Sequence, residues 1–422
     1  MKRLFLTFGC ALVLGSAGGS AASPEALRPT PEPLENLTLE QALALADQLH
    51  PELAEARAAI EAAEGRARQA GAFPNPEAIV GAQQLPLRSN AANEREYVAG
   101  VAQSVPLGRR LARAREVELL EREVRTRGLE VRHREIRQRV HSAFATALYQ
   151  EQAWQVQDDL RRIARQAVTT TRVRREHGDA VAEDLARVEL EQARVEADWQ
   201  RAGWLRREAM LALATALGDA TLPVHSLAGN LEAAFEIPTL EGLAAHLAEP
   251  PEVALAEADV RTRQARLALA QVERIPDVKV EVLYHRLEAS GADTLDVGLS
   301  IPLPLFQRNQ GRLREAQAEL TAAEARVRLT QSEAAARQQT AQLRLDAALA
   351  LCRLYRTEIL PREDTVLRAA EARYAAGDIS LPELLPVRRE RAAVQLSYLE
   401  SLRDVLQAWA AARRAFGPGP TR

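Results

Sequence analysis

Cysteine is nearly absent from this 422-residue chain, which contains only two. Cys10 lies in an N-terminal stretch with the features of a secretory signal, so removal of that stretch leaves Cys352 alone and excludes an intrachain disulfide. No Cys-x-x-Cys pair occurs, and none of the seven histidines has another histidine four positions away. The sequence therefore gives no indication of a tight metal site.

The glycine-rich loop typical of nucleotide-binding proteins is also missing, and no catalytic constellation is recognisable. We therefore expect neither an enzyme nor a bound cofactor, and any energy for transport must come from a partner protein. Removing Lys2 and Arg3 from the 55 basic residues leaves 53 against 58 acidic ones, a formal charge of −5. This slightly negative balance argues against a nucleic-acid partner.

The N-terminus has the three parts of a signal peptide. Lys2 and Arg3 form the charged start, residues 4–14 the apolar stretch, and residues 15–23 the region of small side chains around the cleavage site. The apolar stretch is well short of the roughly 20 residues needed to span a bilayer. Nothing after residue 23 approaches a transmembrane helix, so a membrane-inserted form of this protein would have to be a β-barrel.

The chain repeats itself at an offset of about 200 residues. Gly178, in REHGDAVAEDL, returns as Gly377, in YAAGDISLPEL, and the motif Ser-Val-Pro at 104–106 returns as Ser-Ile-Pro at 300–302. A repeat of this length is too long for a solenoid and indicates pseudo-symmetry within one architecture. The predicted organisation is a signal peptide over 1–22, a first structural repeat over 23–245 and a second over 246–422.

Each half has the pattern of a helix, two strands, a very long helix, a tight turn and another long helix. Residues 109–176 contain no proline and one glycine, which predicts a helix of about 100 Å. Helices of this length cannot be buried in a compact domain, and their alanine- and leucine-rich faces favour side-by-side packing as coiled coils. We predict long helices over 109–217 and 310–416, with a kink or break near Pro361.

Alternating apolar and polar residues predict the strands, at about 77–107 in the first half and 278–303 in the second. In the second half, Val278, Val280, Val282 and Tyr284 alternate with mostly polar neighbours over about ten residues. This period of two is typical of a strand between lipid and a watery lumen. A half-buried soluble hairpin gives the same pattern and is the alternative. Four strands cannot close a barrel, whose minimum is about eight, so closure requires several protomers.

Taken together, duplicated halves, one hairpin of strands per half and long helices meeting at a glycine turn resemble the TolC-like family of outer-membrane efflux ducts. The strand-to-helix segments Gln103–Glu116 and Ser300–Leu320 are similar to that family's junctions. The first segment, with FPNP upstream, resembles the CzcC-like branch, which works with heavy-metal pumps. The resemblance implies an α+β fold, mainly of long α-helical coiled coils that form an α-barrel. A transmembrane β-barrel would take four strands from each protomer of a homotrimer.

The resemblance also implies a location and partners. Such a duct lies in the outer membrane, in contact with its lipid, and extends into the periplasm. It passively exports substrate delivered by an inner-membrane RND-type pump through a periplasmic adaptor, also called a membrane fusion protein. Heavy-metal cations are the expected substrate, and drugs or solvents are the alternative. A soluble periplasmic coiled-coil protein with a structural or adaptor-like role is the rival hypothesis from another class.

Particular residues take on roles through the same resemblance. Aligned on the second glycine turn, Tyr374 matches the family's gate tyrosine and Glu383 an acidic residue of the pore constriction. Asp184, in the first copy, matches the aspartate that holds a neighbouring coil shut. Ile379 and Pro386 depart from the family pattern, because an arginine and a second acidic residue are expected there. Acidic residues also favour the first turn of any helix, which is the structural alternative for Asp184 and Glu383.

Two further groups of residues are assigned by their place in the repeat. We expect the tips of the long helices to dock the adaptor. We expect the strand–helix junctions to turn the chain between the end of a strand and the start of the next helix. The tip residues are Gly178, Asp179, Val181, Gly377, Asp378 and Ser380, and the junction residues are Pro106, Gly108, Pro302 and Gly311.

Overall fold

The computed structural model describes residues 34–85, 95–235 and 250–416. The predicted signal peptide, the loop between the first two strands and the boundary between the two repeats lie outside the described residues. The described elements are α1 (Leu39–Leu49), α2 (Pro51–Ala70), β1 (Glu77–Gln83), β2 (Glu96–Val105), α3 (Arg110–Glu176), α4 (Ala182–Leu217), a 3-10 turn (Leu231–Phe235), α5 (Pro251–Val272), β3 (Val278–Leu287), β4 (Asp293–Ser300), α6 (Gln310–Leu354), a π-helical turn (Tyr355–Ile359), α7 (Leu360–Ala376) and α8 (Leu381–Phe416).

Local signals in the sequence fix where the first helices begin. The Thr38 hydroxyl accepts a hydrogen bond from the backbone N–H of Gln41, and the Gln41 side chain accepts one from the Thr38 N–H, so a capping box starts α1. Pro51 is the first residue of α2, a position where its missing N–H costs no hydrogen bond.

Two long helical hairpins form most of the molecule. In the first, the 67 residues of α3 run for about 100 Å, and the 36 residues of α4 pack back along them. In the second, α6 and α7 form one arm and α8 the other, and α8 also packs against α3. The two hairpins therefore lie side by side.

The second hairpin contains the predicted irregularity near Pro361. Residues 355–359 form a π-helical turn, in which the N–H of Leu360 donates to the carbonyl of Tyr355. Pro361 has no N–H, and in a regular helix its ring would clash with the carbonyl four residues earlier. A widened turn just before a proline relieves that clash without ending the helix. The predicted kink is thus a local widening inside a continuous arm.

The four strands form one antiparallel sheet in the order β1-β2-β3-β4. The central pair, β2 and β3, joins the two repeats, with Val98 opposite His285. One face of the sheet is apolar and strongly exposed, including Val80 at 85% and Val297 at 71%. On the other face the His285 ring lies between two carboxylates, 2.5 Å from Glu96 and 3.4 Å from Asp296. The predicted alternation of apolar and polar residues is therefore present across the sheet.

The main core lies midway along the helices, where α1, α3, α4, α6 and α8 meet. Ile136, Leu213, Leu345 and Leu402 are completely or almost completely buried there. Burying one such side chain contributes about 1.5–3 kcal/mol, so this region anchors both hairpins to each other. Two smaller apolar clusters continue the contact toward the glycine turns. Across the described part of the chain, no helix combines the length and the apolar character needed to cross a bilayer.

Candidate functional site: helical tips and strand–helix junctions

The two predicted tips have the same backbone geometry. Gly178 and Gly377 both adopt the left-handed conformation, with φ of 85° and 81°. In each tip the N–H of the following aspartate donates to the carbonyl five residues earlier, at 2.8 Å in the first and 2.9 Å in the second. This Schellman-type turn requires a residue that tolerates positive φ, which explains the repeated glycine.

The surfaces of the tips are open. No atom outside the turn lies within 4 Å of where a Cβ would stand on either glycine, so space alone does not demand glycine there. The six predicted tip residues are all exposed, and Val181, on the first tip, exposes 62% of its surface. Exposed residues on a rigid turn at the end of a long hairpin are available to a partner.

The helices that follow the two turns start differently. At the second tip one oxygen of Glu383 accepts hydrogen bonds from the backbone N–H and the hydroxyl of Ser380. These two bonds hold the pKa of the Glu383 carboxyl below its ordinary value. At the first tip Val181 stands before α4, and its side chain makes no capping hydrogen bond. Sequence reasoning assigned Ser380 to docking only, although Ser-x-x-Glu before an apolar run is a recognisable capping signal.

Side chains just behind the turns hold the two tips together. Leu185 and Val188 of α4 are buried against Leu385 of α8. A guanidinium nitrogen of Arg389 lies 3.5 Å from a carboxylate oxygen of Glu191, which adds an ion pair between the hairpins. The tips of one chain are therefore a joint surface and not two independent loops.

The three predicted gate residues lie within six residues of the two glycine turns. Tyr374 and Asp184 are half-buried, and within the described residues no hydrogen bond joins their side chains to each other or to Glu383. The nearby charges that affect Glu383 are those of Arg373 and Arg187.

The two strand–helix junctions share a left-handed residue directly before the long helix, but only one of the two predicted glycines takes part in the turn. Gly108 has φ of +68°, and a Cβ on it would stand 2.7 Å from the Cδ1 of Ile275. Immediately before the long helices, Arg109 and Asn309 both adopt a left-handed conformation with φ of 59°. Gly311, expected to share the turning role, lies instead inside the first turn of α6. The turn is made by Asn309, because its side chain is held by the carbonyl of Ala270 at 2.9 Å.

The two prolines of the junctions each lie between a strand and the long helix that follows it. Pro106 directly follows β2, and Pro302 comes two residues after the end of β4. At the first junction Gln103 donates to the carbonyl of Pro74 at 2.9 Å, and Arg110 forms an ion pair with Asp277 at 2.7 Å. The ion pair links the base of the first long helix to the start of β3, so the two repeats are joined at the junctions as well.

One feature that sequence reasoning missed is a pair of exposed apolar rows on opposite flanks of the chain. The row on α4 has a seven-residue spacing, and so does the row on α6. Such a spacing keeps apolar residues on one side of a helix that packs along another. The members are Leu190, Ala197, Trp204 and Leu211 on α4, and Leu329, Ala336, Leu343 and Ala350 on α6.

These rows have no partner in a single chain. Trp204 exposes 67% of its surface and Leu343 exposes 70%. The inner side of α4 packs on α3, whereas α6 packs on α5 and α8, so the two rows face away from each other. Trp204 and Leu211 follow the first turn by 26 and 33 residues, and Ala350 and Leu343 precede the second by 27 and 34, so the rows overlap about 40–50 Å from the tips. This overlap allows the two flanks to meet between copies.

No metal centre is part of this site. Within residues 34–85, 95–235 and 250–416, no three histidine, cysteine, aspartate or glutamate side chains are arranged to share an ion.

Known proteins share both the sequence and the shape of this chain. Residues 243–418 match the family described as outer membrane efflux protein. The cobalt-zinc-cadmium resistance protein CzcC of Cupriavidus metallidurans is 28% identical over 329 residues, covering 75% of this chain and 76% of CzcC.

Solved structures extend the likeness to the whole fold. A membrane protein from Pseudomonas aeruginosa superposes with a TM-score of 0.75 at 18% identity, covering 94% of this chain and 97% of its own. CusC superposes with a TM-score of 0.73 at 16% identity, and the superposition covers 94% of this chain and 100% of the CusC chain. The long paired helices and the four-stranded sheet are thus a shared architecture. Residues 243–418 thus match the outer membrane efflux protein family, and the whole described chain has the fold of these solved structures. The place of the chain is the outer membrane, with the helices extending into the periplasm.

Proposed function

We propose that three copies of this chain assemble into a passive exit duct, which receives its substrate from an inner-membrane RND-type pump through a periplasmic adaptor. The observation that carries the proposal is the pair of exposed apolar rows on α4 and α6, which overlap in height about 40–50 Å from the tips. Each row fits the opposite flank of a neighbouring copy, so repeated contact produces a closed wall of helices. A monomer in water would leave both rows exposed, which is unfavourable by about 25 cal/mol for each Å² of apolar surface.

The sheet supports the same assembly. Its outer strands, β1 and β4, each have one edge without a strand partner in the described part of a single chain. Unpaired edges bind strands of other chains readily. Edge-to-edge pairing of β4 with β1 of the next copy would satisfy these backbone groups. It would also make the apolar faces of all copies, including Val80 and Val297, one continuous surface facing lipid.

The tips are the proposed docking surface for the adaptor. Gly178, Asp179 and Val181 form one contact, and Gly377, Asp378 and Ser380 the equivalent contact in the second copy. Each chain offers two similar rigid turns, so three chains would present six nearly equivalent contacts. This matches an adaptor that binds as repeated copies around the end of the duct.

Tyr374, Glu383 and Asp184 are the proposed gate. In a trimer, half-buried Tyr374 and Asp184 would face side chains of the same or a neighbouring copy across the narrow end. A hydroxyl–carboxylate bond there would be broken easily when the adaptor shifts the helices. Ile379 and Pro386 stand where the family pattern has an arginine and an acid, so the latch would rest on fewer charges.

Metal cations are the proposed cargo. CzcC, the curated relative reported above, is a cobalt-zinc-cadmium resistance protein. The polar face of the sheet supports a cationic cargo, because four carboxylates lie on it against one lysine and His285. Carboxylates along an aqueous path favour cations. The carboxylates belong to Glu77, Glu96, Glu281 and Asp296. Drugs and solvents are the alternative cargo within the same proposal.

The experiment that tests the duct uses the full chain, expressed with its own signal. We expect it in the outer-membrane fraction, as a trimer in detergent, with discrete conductance steps in planar lipid bilayers. Release of a soluble protein by osmotic shock, without detergent, would overturn the proposal. For the cargo, cells that carry the pump and adaptor should lose resistance to cobalt, zinc or cadmium when the gene is deleted. Loss of drug resistance alone would favour the alternative.

A further inference from the structure

A half-enclosed cavity between α3 and α8 lies far from the tips, the junctions and the sheet. Its volume is about 270 Å³. Basic side chains make up most of its wall, with Arg134, Arg137 and His141 coming from α3 and Arg413 and Arg414 from α8. No carboxylate is among the residues that line it in the described part of the chain.

The carboxylates near this cavity are already paired with basic side chains. Asp47 of α1 lies 2.8 Å from Arg137 and also 2.8 Å from His133. Glu135 lies 2.8 Å from Arg414, and Glu252 stands 3.8 Å from the same guanidinium. Arg137 and Arg414 are therefore partly neutralised, although none of these carboxylates lines the cavity.

Arg134 and Arg413 have no such neutralisation. Among the described residues neither guanidinium has a carboxylate partner, although both side chains are partly buried. Burial and the neighbouring charge of Arg137 lower the pKa of Arg413 below its ordinary value. A half-buried cation without a counter-charge is unfavourable, because it has lost water and gained no partner.

His141 lines the same cavity, and the excess of positive charge there affects its pKa. Burial, together with Arg413 and Arg137, lowers its pKa to about 4. The ring is therefore neutral at physiological pH, and one of its nitrogens carries a hydrogen that can be donated. The cavity thus combines fixed cations with neutral donors, and it lacks the negative charge that would balance them.

We propose that this cavity is a binding site for a tetrahedral oxyanion, such as inorganic phosphate. Such an anion accepts charge-assisted hydrogen bonds from several guanidinium groups at once, and arginine is well suited to bidentate contacts with it. The anion would bind Arg134 and Arg137 of the first repeat together with Arg413 of the second. Its role would be to hold α3 and α8 together beside the main core, independently of conduction and of the cargo.

The test measures phosphate binding to the purified full chain by calorimetry, with chloride at equal ionic strength as the reference, because salt alone screens charges. We expect one site per chain in the wild type, and at least a tenfold weaker affinity in Arg413→Gln and in Arg134→Gln. Arg127→Gln is the matched control. Arg127 lies on α3 as well, but it pairs with Glu130 on the surface, so its loss should leave affinity unchanged.

Thermal unfolding of the same proteins keeps the test valid if a variant folds poorly. Phosphate should raise the unfolding temperature of the wild type and of Arg127→Gln, and it should leave that of Arg413→Gln unchanged. No phosphate binding to the wild type would overturn the proposal. Equal affinity in wild type and Arg413→Gln would overturn it as well, since the anion would then bind elsewhere.

Discussion

Ser380 donates two hydrogen bonds to one carboxylate oxygen of Glu383, at 2.7 Å from its backbone N–H and at 2.8 Å from its hydroxyl. This contact fixes the first turn of α8 directly behind the second glycine turn. At the first tip Val181 occupies the corresponding place and provides no side-chain cap. The two tips thus share one backbone turn and differ in how firmly the next helix begins.

Replacing Glu383 with alanine should loosen the first turn of α8, because the Ser380 N–H and hydroxyl lose their acceptor. Hydrogen exchange of the amides in that turn should become several-fold faster. Glu183→Ala is the matched control at the first tip, since Glu183 pairs only with exposed Arg187, and it should have little effect. Equal acceleration in both variants would contradict the capping role.

The first turn of α8 should become less stable as the pH falls. The pKa of Glu383 is lowered from its ordinary value of 4.5 by the bonds from Ser380. A lowered carboxyl pKa means that the stabilisation is complete above the ordinary value and is lost as pH falls through the folded-state value. Protection of the first turn, corrected for intrinsic exchange, should therefore fall below about pH 4.5 in the wild type only. If protection fell in the same way in Glu383→Ala, the Glu383 carboxylate would not be the group responsible.

Valine at Gly377 should weaken adaptor binding and leave the assembly intact. A β-branched residue with φ of +81° is strained by about 1–2 kcal/mol, so the turn changes shape. Asparagine tolerates this conformation and has open space there, so Gly377→Asn is the matched control. Site-specific crosslinking to the adaptor should fall at least fivefold in Gly377→Val and stay near wild type in Gly377→Asn. Equal crosslinking in both would exclude tip docking.

Trp204→Glu should disrupt the association of copies, because a charge would replace the largest exposed apolar group of the α4 row. We expect at least a tenfold loss of trimer in native mass spectrometry of the detergent-solubilised protein. Leu119→Glu on α3 is the control, since Leu119 is an exposed leucine outside both rows, and it should assemble normally. An intact trimer in Trp204→Glu would remove the main support for the proposed wall.

His141 should make the protein sensitive to mild acid. Its pKa is lowered from 6.5 to about 4, so between these values the unfolded chain binds a proton that the folded chain does not. Stability should therefore fall as pH drops from about 6.5 to 4, by up to about 3 kcal/mol for this group. In phosphate-free buffer His141→Asn should lose less thermal stability over that interval than the wild type. Identical pH profiles would show that His141 titrates normally.

Much of the secondary structure could be predicted because its signals are local. The long helix predicted over residues 109–176 begins at Arg110 and ends at Glu176, since proline and glycine mark both ends. The irregularity near Pro361 was equally visible, because a proline affects the turn that precedes it. The junction at 309–311 was not, since Asn309 adopts its left-handed conformation with support from the distant carbonyl of Ala270.

The candidate functional sites can also be separated into those with a local sequence signal and those that depend on tertiary packing. The tip glycines were recognisable because glycine is the residue that most often occupies the left-handed position at the end of a helix. The apolar residues of the rows on α4 and α6 recur every seven positions in the sequence, but each helix contains several rows with this spacing. Only the packing of α4 on α3, and of α6 on α5 and α8, decides which row is buried within the chain and which stays exposed.

By itself, the sequence determined the duplicated plan, the long helices, the paired strands and the repeated glycine turn, because each depends on residues close together along the chain. The tertiary structure alone decided the joint surface of the tips, the exposed flanks and the basic cavity. Arg134 and Arg413 meet there although 279 positions separate them. No local pattern encodes that meeting, because it exists only after the two hairpins have packed side by side.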